Sequence, residues 1–406
     1  MCNKPKRTIL FIGIFFKKRL AILSVTEWFP PAGAMRILIC IRCVFVALRT
    51  LSAADINFDN IFSRLFSGLV DGWSVHANRD TKIYVQPDNL TTIHQPKLIC
   101  DRQQKNKLFL LVVVCSSTVN FKQRIAIRQT WGNYKTYVDG PDLNKVLNIL
   151  KRNKKLTRLR DEIRDGSTEP EFKLVFLLGR PANDNDTKIQ GKIEDEVVKY
   201  GDIIQEGFID SYNNLTLKSI MMLKWITNNC GNVRYILKTD DDMYVNVPNL
   251  ISNLRERSKE FDSGLPGHSN REYLLIGDLI CGARPGKNKN IFLVRFSPRY
   301  MYGGRVYPKY LSGTGYALSS DTAGALYEAA LRTNYFHLED IFITGMCAGR
   351  AHPRITPRDD PLFSYQPTRG VKLLCAVQAH VTAHHVKPGV MHQLHKQLKT
   401  EAVQDE

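Results

Sequence analysis

The sequence predicts an α/β fold: a doubly wound, mostly parallel sheet in one large domain. Short apolar runs bounded by polar turns, Leu108–Cys115 and Leu174–Leu178, read as strands buried on both faces. These runs alternate with stretches of helical periodicity, as when helices cross between parallel strands. In such sheets ligands collect outside the carboxyl ends of the strands, and there the chain places three consecutive carboxylates, Asp240, Asp241 and Asp242.

The folded region opens at Lys107, and Ser116-Ser117-Thr118 turns the chain out of the first strand. Phe121 to Trp131 reads as a helix with Arg124 and Arg128 at i, i+4. A basic segment, 135–170, contains Lys151, Arg152, Lys154, Lys155, Arg158 and Arg160. Lys173–Leu178, closed by Gly179, is the second strand, Ile189–Tyr200 an amphipathic helix and Asp202–Ile204 a short strand. Asn214–Asn228 is a longer helix with apolar Leu217, Ile220, Met221, Leu223 and Trp225.

That helix leads into Tyr235–Leu237, the acidic triplet and a second β-rich run, Met243–Val247, which Pro248 ends. Adjacent carboxylates repel, so packing gives no reason to group them. A divalent cation does, because Mg²⁺ and Mn²⁺ take hard oxygen ligands and are commonly held by one or two carboxylates plus substrate phosphates. In extended backbone Asp240 and Asp242 point to one side and Asp241 to the other. A solvated acidic turn is the plainer reading of the same residues.

Past Pro248 come a helix at Asn249–Lys259 and a loop-rich region with Gly264, Pro266, Pro285 and Gly303. Tyr307–Ser319 is an aromatic run punctuated by Gly313 and Gly315, where backbone can approach a ligand or simply turn. A helix follows from Asp321 to Leu331. Glu339 and Asp340 then stand at an apparent helix start, a place that also favours acids for capping.

Composition narrows the function classes. Apolar content of 43% and charged content of 24% suit a globular protein with a large core. The net charge of +18 suits anionic partners, but no zinc-finger or RNA-binding signature accompanies it, so nucleic acid is not expected. Thr8–Phe16 and Met35–Leu48 are apolar runs, each short of a membrane span and one interrupted by Arg42. They are read as a cytosolic tail and marginal signal-anchor over 1–50, with the rest of the chain in the secretory lumen. Asn89, Asn185 and Asn214 lie in Asn-X-Thr acceptor triplets. Cys100, Cys115, Cys230, Cys281, Cys347 and Cys375 allow up to three disulfides in an oxidising compartment, with connectivity unread. Residues 51–106 are polar and weakly periodic and read as a stem or linker, followed by the folded domain at 107–395 and a polar tail at 396–406.

An ordered set of segments resembles the β-1,3-glycosyltransferases of the secretory pathway, which move galactose or N-acetylglucosamine from a UDP-sugar. The segments are Arg124–Gly132, Val175–Gly179, Asp202–Lys218, Lys238–Asn246, Tyr307–Ser319 and Leu338–Ala348. The resemblance implies a single GT-A catalytic domain on a type II anchor and stem in the Golgi membrane, with 135–170 as a basic surface insertion. It implies Mn²⁺ held by Asp240 and Asp242, with Asp241, Arg124, Arg128 and Lys218 near the nucleotide-sugar. Asp340 would be the base, with Glu339 as its rival, and Tyr310, Gly313, Gly315 and Tyr316 would line the substrate groove. A histidine often adds a metal ligand toward the C-terminal side of the family's domain, and His352, Asp360, His384 and His385 are all candidates here. The expected partners are a UDP-sugar donor and a glycan acceptor on protein or lipid. A β-linkage formed from an α-linked donor requires inversion, hence one displacement with one base. The leading expectation is galactose transfer. The rival donor is UDP-N-acetylglucosamine, and a non-catalytic lumenal chaperone or glycan-binding relative is the reading from another class.

Overall fold

The computed structural model describes residues 12–16, 19–23, 70–97, 99–100, 108–133, 172–182, 187–263, 271–286, 296–367 and 371–404. Two units are distinguished, Met1–Phe62 and Ser63–Glu406. The first contains an antiparallel pair, β1 (Ile12–Phe16) and β2 (Arg19–Leu23). The second contains β3 (Thr92–His94), β4 (Leu110–Cys115), β5 (Phe172–Arg180), β6 (Ile203–Ile209), β7 (Tyr235–Asp240), β8 (Tyr244–Val245), β9 (Leu275–Ile280), β10 (Tyr310–Ser319), β11 (Arg358–Asp359) and β12 (Thr382–Ala383).

Eight of these strands form one sheet in the order β11-β9-β10-β7-β4-β5-β6-β3. Its centre, β7-β4-β5-β6, is parallel throughout. β10 runs antiparallel to both β7 and β9, and β3 antiparallel to β6. The mostly parallel α/β expectation therefore holds for the half built from alternating strands and helices, and antiparallel strands extend it on both sides.

Every β4 residue is buried, and the pleat divides them between two layers. Leu111, Val113 and Cys115 pack into the layer that holds the Leu215–Asn229 and Ser320–Ala330 helices. Leu110, Val112 and Val114 pack into the opposite layer, with the Phe121–Gln129, Val247–Asp262 and Pro388–Gln404 helices. A strand covered on both faces has no use for polar alternation, so its sequence is a continuous apolar run. Burying one such Val or Leu contributes about 1.5–3 kcal/mol.

Three expectations are revised. The Tyr307–Ser319 run, read as a close approach to a ligand or a turn, is strand β10 from Tyr310 onward, between β9 and β7. Its glycines permit close approach: a Cβ on Gly313 would lie 3.1 Å from Glu339 Oε2. The stem reading fails for residues 70–100, which are part of the core unit. Trp73 stacks on Tyr335 with ring centroids 3.5 Å apart, β3 extends the sheet, and Cys100 is disulfide-bonded to Cys230. The Lys224 ammonium also receives this segment, donating to the carbonyls of Val85, Gln86 and Asn89. Third, residues 396–404, read as a polar tail, continue the Pro388–Gln404 helix. Within 1–50, Ile12–Phe16 and Arg19–Leu23 are strand, and no helix among the described residues is long and apolar enough to cross a membrane. Met35–Leu48 and the basic segment 135–170 lie outside the described residues.

Candidate active site

β7 delivers the acidic triplet to the carboxyl edge of the sheet, and the three carboxylates go three separate ways. Asp240, the last residue of β7, pairs with Lys238 Nζ at 2.7 Å. Asp241 turns inward, where its Oδ2 accepts from Ser116 Oγ at 2.6 Å and Asn120 Nδ2 at 2.9 Å. It thereby pins the β4 turn beneath the site. Asp242 faces the C-terminal region, with its Oδ2 2.9 Å from His385 Nδ1 and 3.6 Å from His384 Nε2.

β8 and β12 bring those histidines in. Two-residue β12 pairs antiparallel with β8, immediately after the triplet, and Val386 N donates to Asp242 O. His384 Nδ1 lies 2.7 Å from Tyr365 O. A carbonyl only accepts, so Nδ1 carries the proton and the Nε2 lone pair faces Asp242. Burial holds His384 below the usual histidine range, against the pull of Asp242. His385 stacks on His384 at 3.8 Å between centroids and occupies left-handed backbone at φ +60°. Asp242, His384 and His385 each offer one ligand atom, all within 4.8 Å of one another.

A carboxylate oxygen beside imidazole nitrogens, one of them oriented by a second hydrogen bond, is a donor set able to hold a divalent cation. Of the C-terminal candidates the structure thus groups His384 and His385 with the triplet. Asp360 is instead buried, accepting from Asn253, Arg257 and Leu362 N. His352 is exposed and is not in the Asp242 group.

On the other side of Asp240, Lys238 Nζ donates to Gly313 O at 2.5 Å and lies 3.8 Å from Glu339 Oε2. Asp340 flanks the same glycine, with its Cβ 3.3 Å from the position a Gly313 Cβ would take. Half-buried Asp340 caps the Ile341–Cys347 π-helix, its Oδ1 accepting from Ile341 N. Glu339 is buried and accepts from Ser219 Oγ at 2.7 Å and Tyr316 OH at 2.9 Å. Its oxygens are committed to the protein interior, which suits a scaffold role better than proton abstraction.

The remaining predicted contacts are also placed. Arg124 is fully buried and binds Glu196 through Nε and Nη2, and its Nη1 donates to Ser116 Oγ and Ser117 O. Arg128 pairs with Glu196 and, through two nitrogens, with Asp202. Lys218 Nζ bridges Asp210 and Ser116 O. Arg124 and Lys218 therefore hold the β4 turn directly, and Arg128 is joined to it through Glu196, which it shares with Arg124. Tyr310 and Tyr316 are buried and do not form an open groove wall, while Gly313 is half-buried and Gly315 buried. Asn89 is exposed, Asn185 lies outside the described residues, and the half-buried Asn214 binds Trp73 Nε1 and Ile209 O.

An acidic turn at the end of a central parallel strand, two histidines facing it and a half-buried acid across Gly313 define an α/β enzyme with a donor set for a hard cation. The galactosyltransferase family model matches residues 122–358. β-1,3-Galactosyltransferase 1 of Mus musculus and of Homo sapiens is 31% identical over 291 residues, covering 72% of this chain and 74% of that protein. Lactosylceramide 1,3-N-acetyl-beta-D-glucosaminyltransferase B of Danio rerio is 33% identical over 273 residues, 67% of this chain and 59% of that protein. Among solved structures, the galactosyltransferase LgtC in complex with donor and acceptor sugar analogs aligns over 71% of this chain and 95% of that one, with 8% identity and a TM-score of 0.29. The chain belongs to the galactosyltransferase family.

Proposed function

We propose that this protein transfers galactose from UDP-galactose, with inversion and in β-1,3 linkage, to a hydroxyl of a glycan carried by protein or lipid. The observation that carries the reading is the acidic triplet with its histidines, joined through Lys238 and Gly313 to the half-buried acid Asp340. The names of the two curated relatives agree on 1,3-linkage and differ on the sugar, so UDP-N-acetylglucosamine is the rival donor. A non-catalytic glycan-binding role is disfavoured, because binding alone gives no reason to keep both the triplet and a half-buried acid beside it.

In this reading Asp240 and Asp242 of the triplet, with His384, would hold Mn²⁺. When bound, the cation neutralises charge on the donor's diphosphate as it departs. Asp241, Ser116 and Arg124 keep the β4 turn in place under the nucleotide. Asp340 accepts the proton of the acceptor hydroxyl as that oxygen attacks the anomeric carbon from the face opposite the diphosphate. The interior disulfide Cys100–Cys230 suits an oxidising compartment, consistent with a lumenal domain of the Golgi.

The test is a donor-by-acceptor array with and without Mn²⁺, run on the parent and on Asp340→Asn. The expected result is Mn²⁺-dependent transfer from UDP-galactose to a β-1,3-linked product. Asp340→Asn should lose about 10²–10⁴-fold in kcat, the range of a general base, with donor affinity kept. Transfer by Asp340→Asn at the parental rate would place the base elsewhere, and preference for UDP-N-acetylglucosamine would favour the rival.

A further inference from the structure

Lys238 has no assigned part in the reaction, yet its charge is buried beside the acidic turn. It lies in the middle of β7 in the sheet interior and is only 4% exposed, where an ammonium is costly unless fully partnered. Its partners come from three elements. Asp240 Oδ1, at 2.7 Å, belongs to the acidic turn. Gly313 O, at 2.5 Å, belongs to β10. Glu339 Oε2, at 3.8 Å, immediately precedes Asp340. Glu339 is fixed in turn from behind by Ser219 of the Leu215–Asn229 helix and by Tyr316 of β10. A single buried cation therefore touches the carboxylate on the cation side of the site and both the backbone and the acid that frame the base.

We propose that Lys238 is a positioning residue that couples the two halves of the site: its ammonium sets Asp240 and, through Glu339 and Gly313, the placement of Asp340. The proposal rests on the reading of Asp240 and Asp242 as cation ligands and Asp340 as base. Its physical content is a shared charge. Asp240 and Glu339 share the same ammonium, so the effect of changing one contact depends on the other. Lys238 occupies Oδ1 of Asp240 and leaves Oδ2 of that carboxylate for a cation. The length of the lysine side chain also fixes how far β7 stands from the Glu339–Asp340 step across β10. On this account Glu339 is a positioning residue too, acting through Lys238 and not on substrate.

Coupling of this kind can be read without catalysis. Mn²⁺ affinity would be measured by electron paramagnetic resonance of the free ion, with no sugar nucleotide present. The proteins are the parent, Lys238→Met, Glu339→Gln and the double variant, each checked by thermal melting. Glu339→Gln in the parent background should weaken Mn²⁺ binding, because the freed ammonium then serves Asp240 alone. In the Lys238→Met background the same substitution should have a smaller effect, the two differing by roughly fivefold or more, as expected for groups in one network. Equal effects in both backgrounds would overturn the proposal. The double variant removes one buried charge of each sign, so it should melt above Lys238→Met and still transfer sugar poorly. A double variant that recovers both melting temperature and kcat would make Lys238 a stability element only, and this too would overturn the proposal. Should none of the four proteins bind Mn²⁺, the parent included, the cation reading itself falls and the coupling falls with it. Should the parent bind Mn²⁺ but transfer no sugar, the binding cycle still decides the coupling alone.

Discussion

Among single residues, the choice between ligand and brace is decided by what each polar atom already holds. Arg124 and Arg128 match a family segment in sequence, yet their nitrogens are committed to Glu196, Asp202 and the β4 turn. Burial alone would raise the Glu196 carboxyl, but hydrogen bonds and charge from Arg124 and Arg128 override it and hold the group below its ordinary value of 4.5. A carboxyl lowered on folding contributes stability that is complete above its unfolded value and is lost as pH falls through the folded one. Glu196→Gln should therefore cost about 3–5 kcal/mol at neutral pH, the range for breaking a buried pair from one side. The cost should shrink below pH 4.5, which urea melts of parent and variant across the acid range would check. A cost independent of pH would mean that Glu196 is held by packing alone. Nearby, burial pushes the Cys115 thiol up to about 12, so this cysteine beside Lys238 stays protonated and inert at neutral pH.

At the level of elements, the 70–100 segment matters most, because its polar sequence hides how much it is used. Thr81 Oγ1 donates to Ala330 O, the Tyr335 amide donates to Arg79 O, and Thr91 and Thr92 both donate to Glu206. The disulfide closes a separation of 130 residues, a cross-link of the kind worth about 2–5 kcal/mol. Deleting residues 1–100 should therefore expose the Tyr335 face and Glu206 and give insoluble protein, whereas deleting 1–69 should leave a soluble, cooperatively melting domain. Equal solubility of the two would return the segment to the status of a linker. The helical periods and buried strands of this fold were legible because burial on both faces demands unbroken apolar runs. Segment 70–100 was not, since a short strand and one aromatic stack carry no period, and β10 was masked by the glycines that let Glu339 approach it.

For the whole molecule, the site is a meeting of distant pieces of chain: β4, β7, β10, the Ile341–Cys347 π-helix and β12. A cation bound to the folded site alone should stabilise the whole domain, by about 2.7 kcal/mol at a hundredfold excess over its dissociation constant. Adding Mn²⁺ should raise the melting temperature of the parent and leave Asp242→Ala unchanged. His384→Ala should respond only at higher Mn²⁺ concentration. An equal shift in all three, followed by differential scanning fluorimetry, would place the cation elsewhere. Because His384 stands 142 positions beyond Asp242 in the chain, no local spacing announces the pair.

The sheet's parallel half, the acidic turn at its edge and the family are legible along the chain, since each is written in adjacent residues or in an ordered set of segments. It named the histidines only as two among four C-terminal candidates. The fold is what shows which of them faces Asp242, that Arg124, Arg128 and Lys218 are paired within the protein, and that Glu339 is buried while Asp340 stays half-buried beside Gly313. The physical reason is that a side chain's role depends on which atoms across the fold have already claimed its hydrogen bonds, and those partners lie far away along the chain.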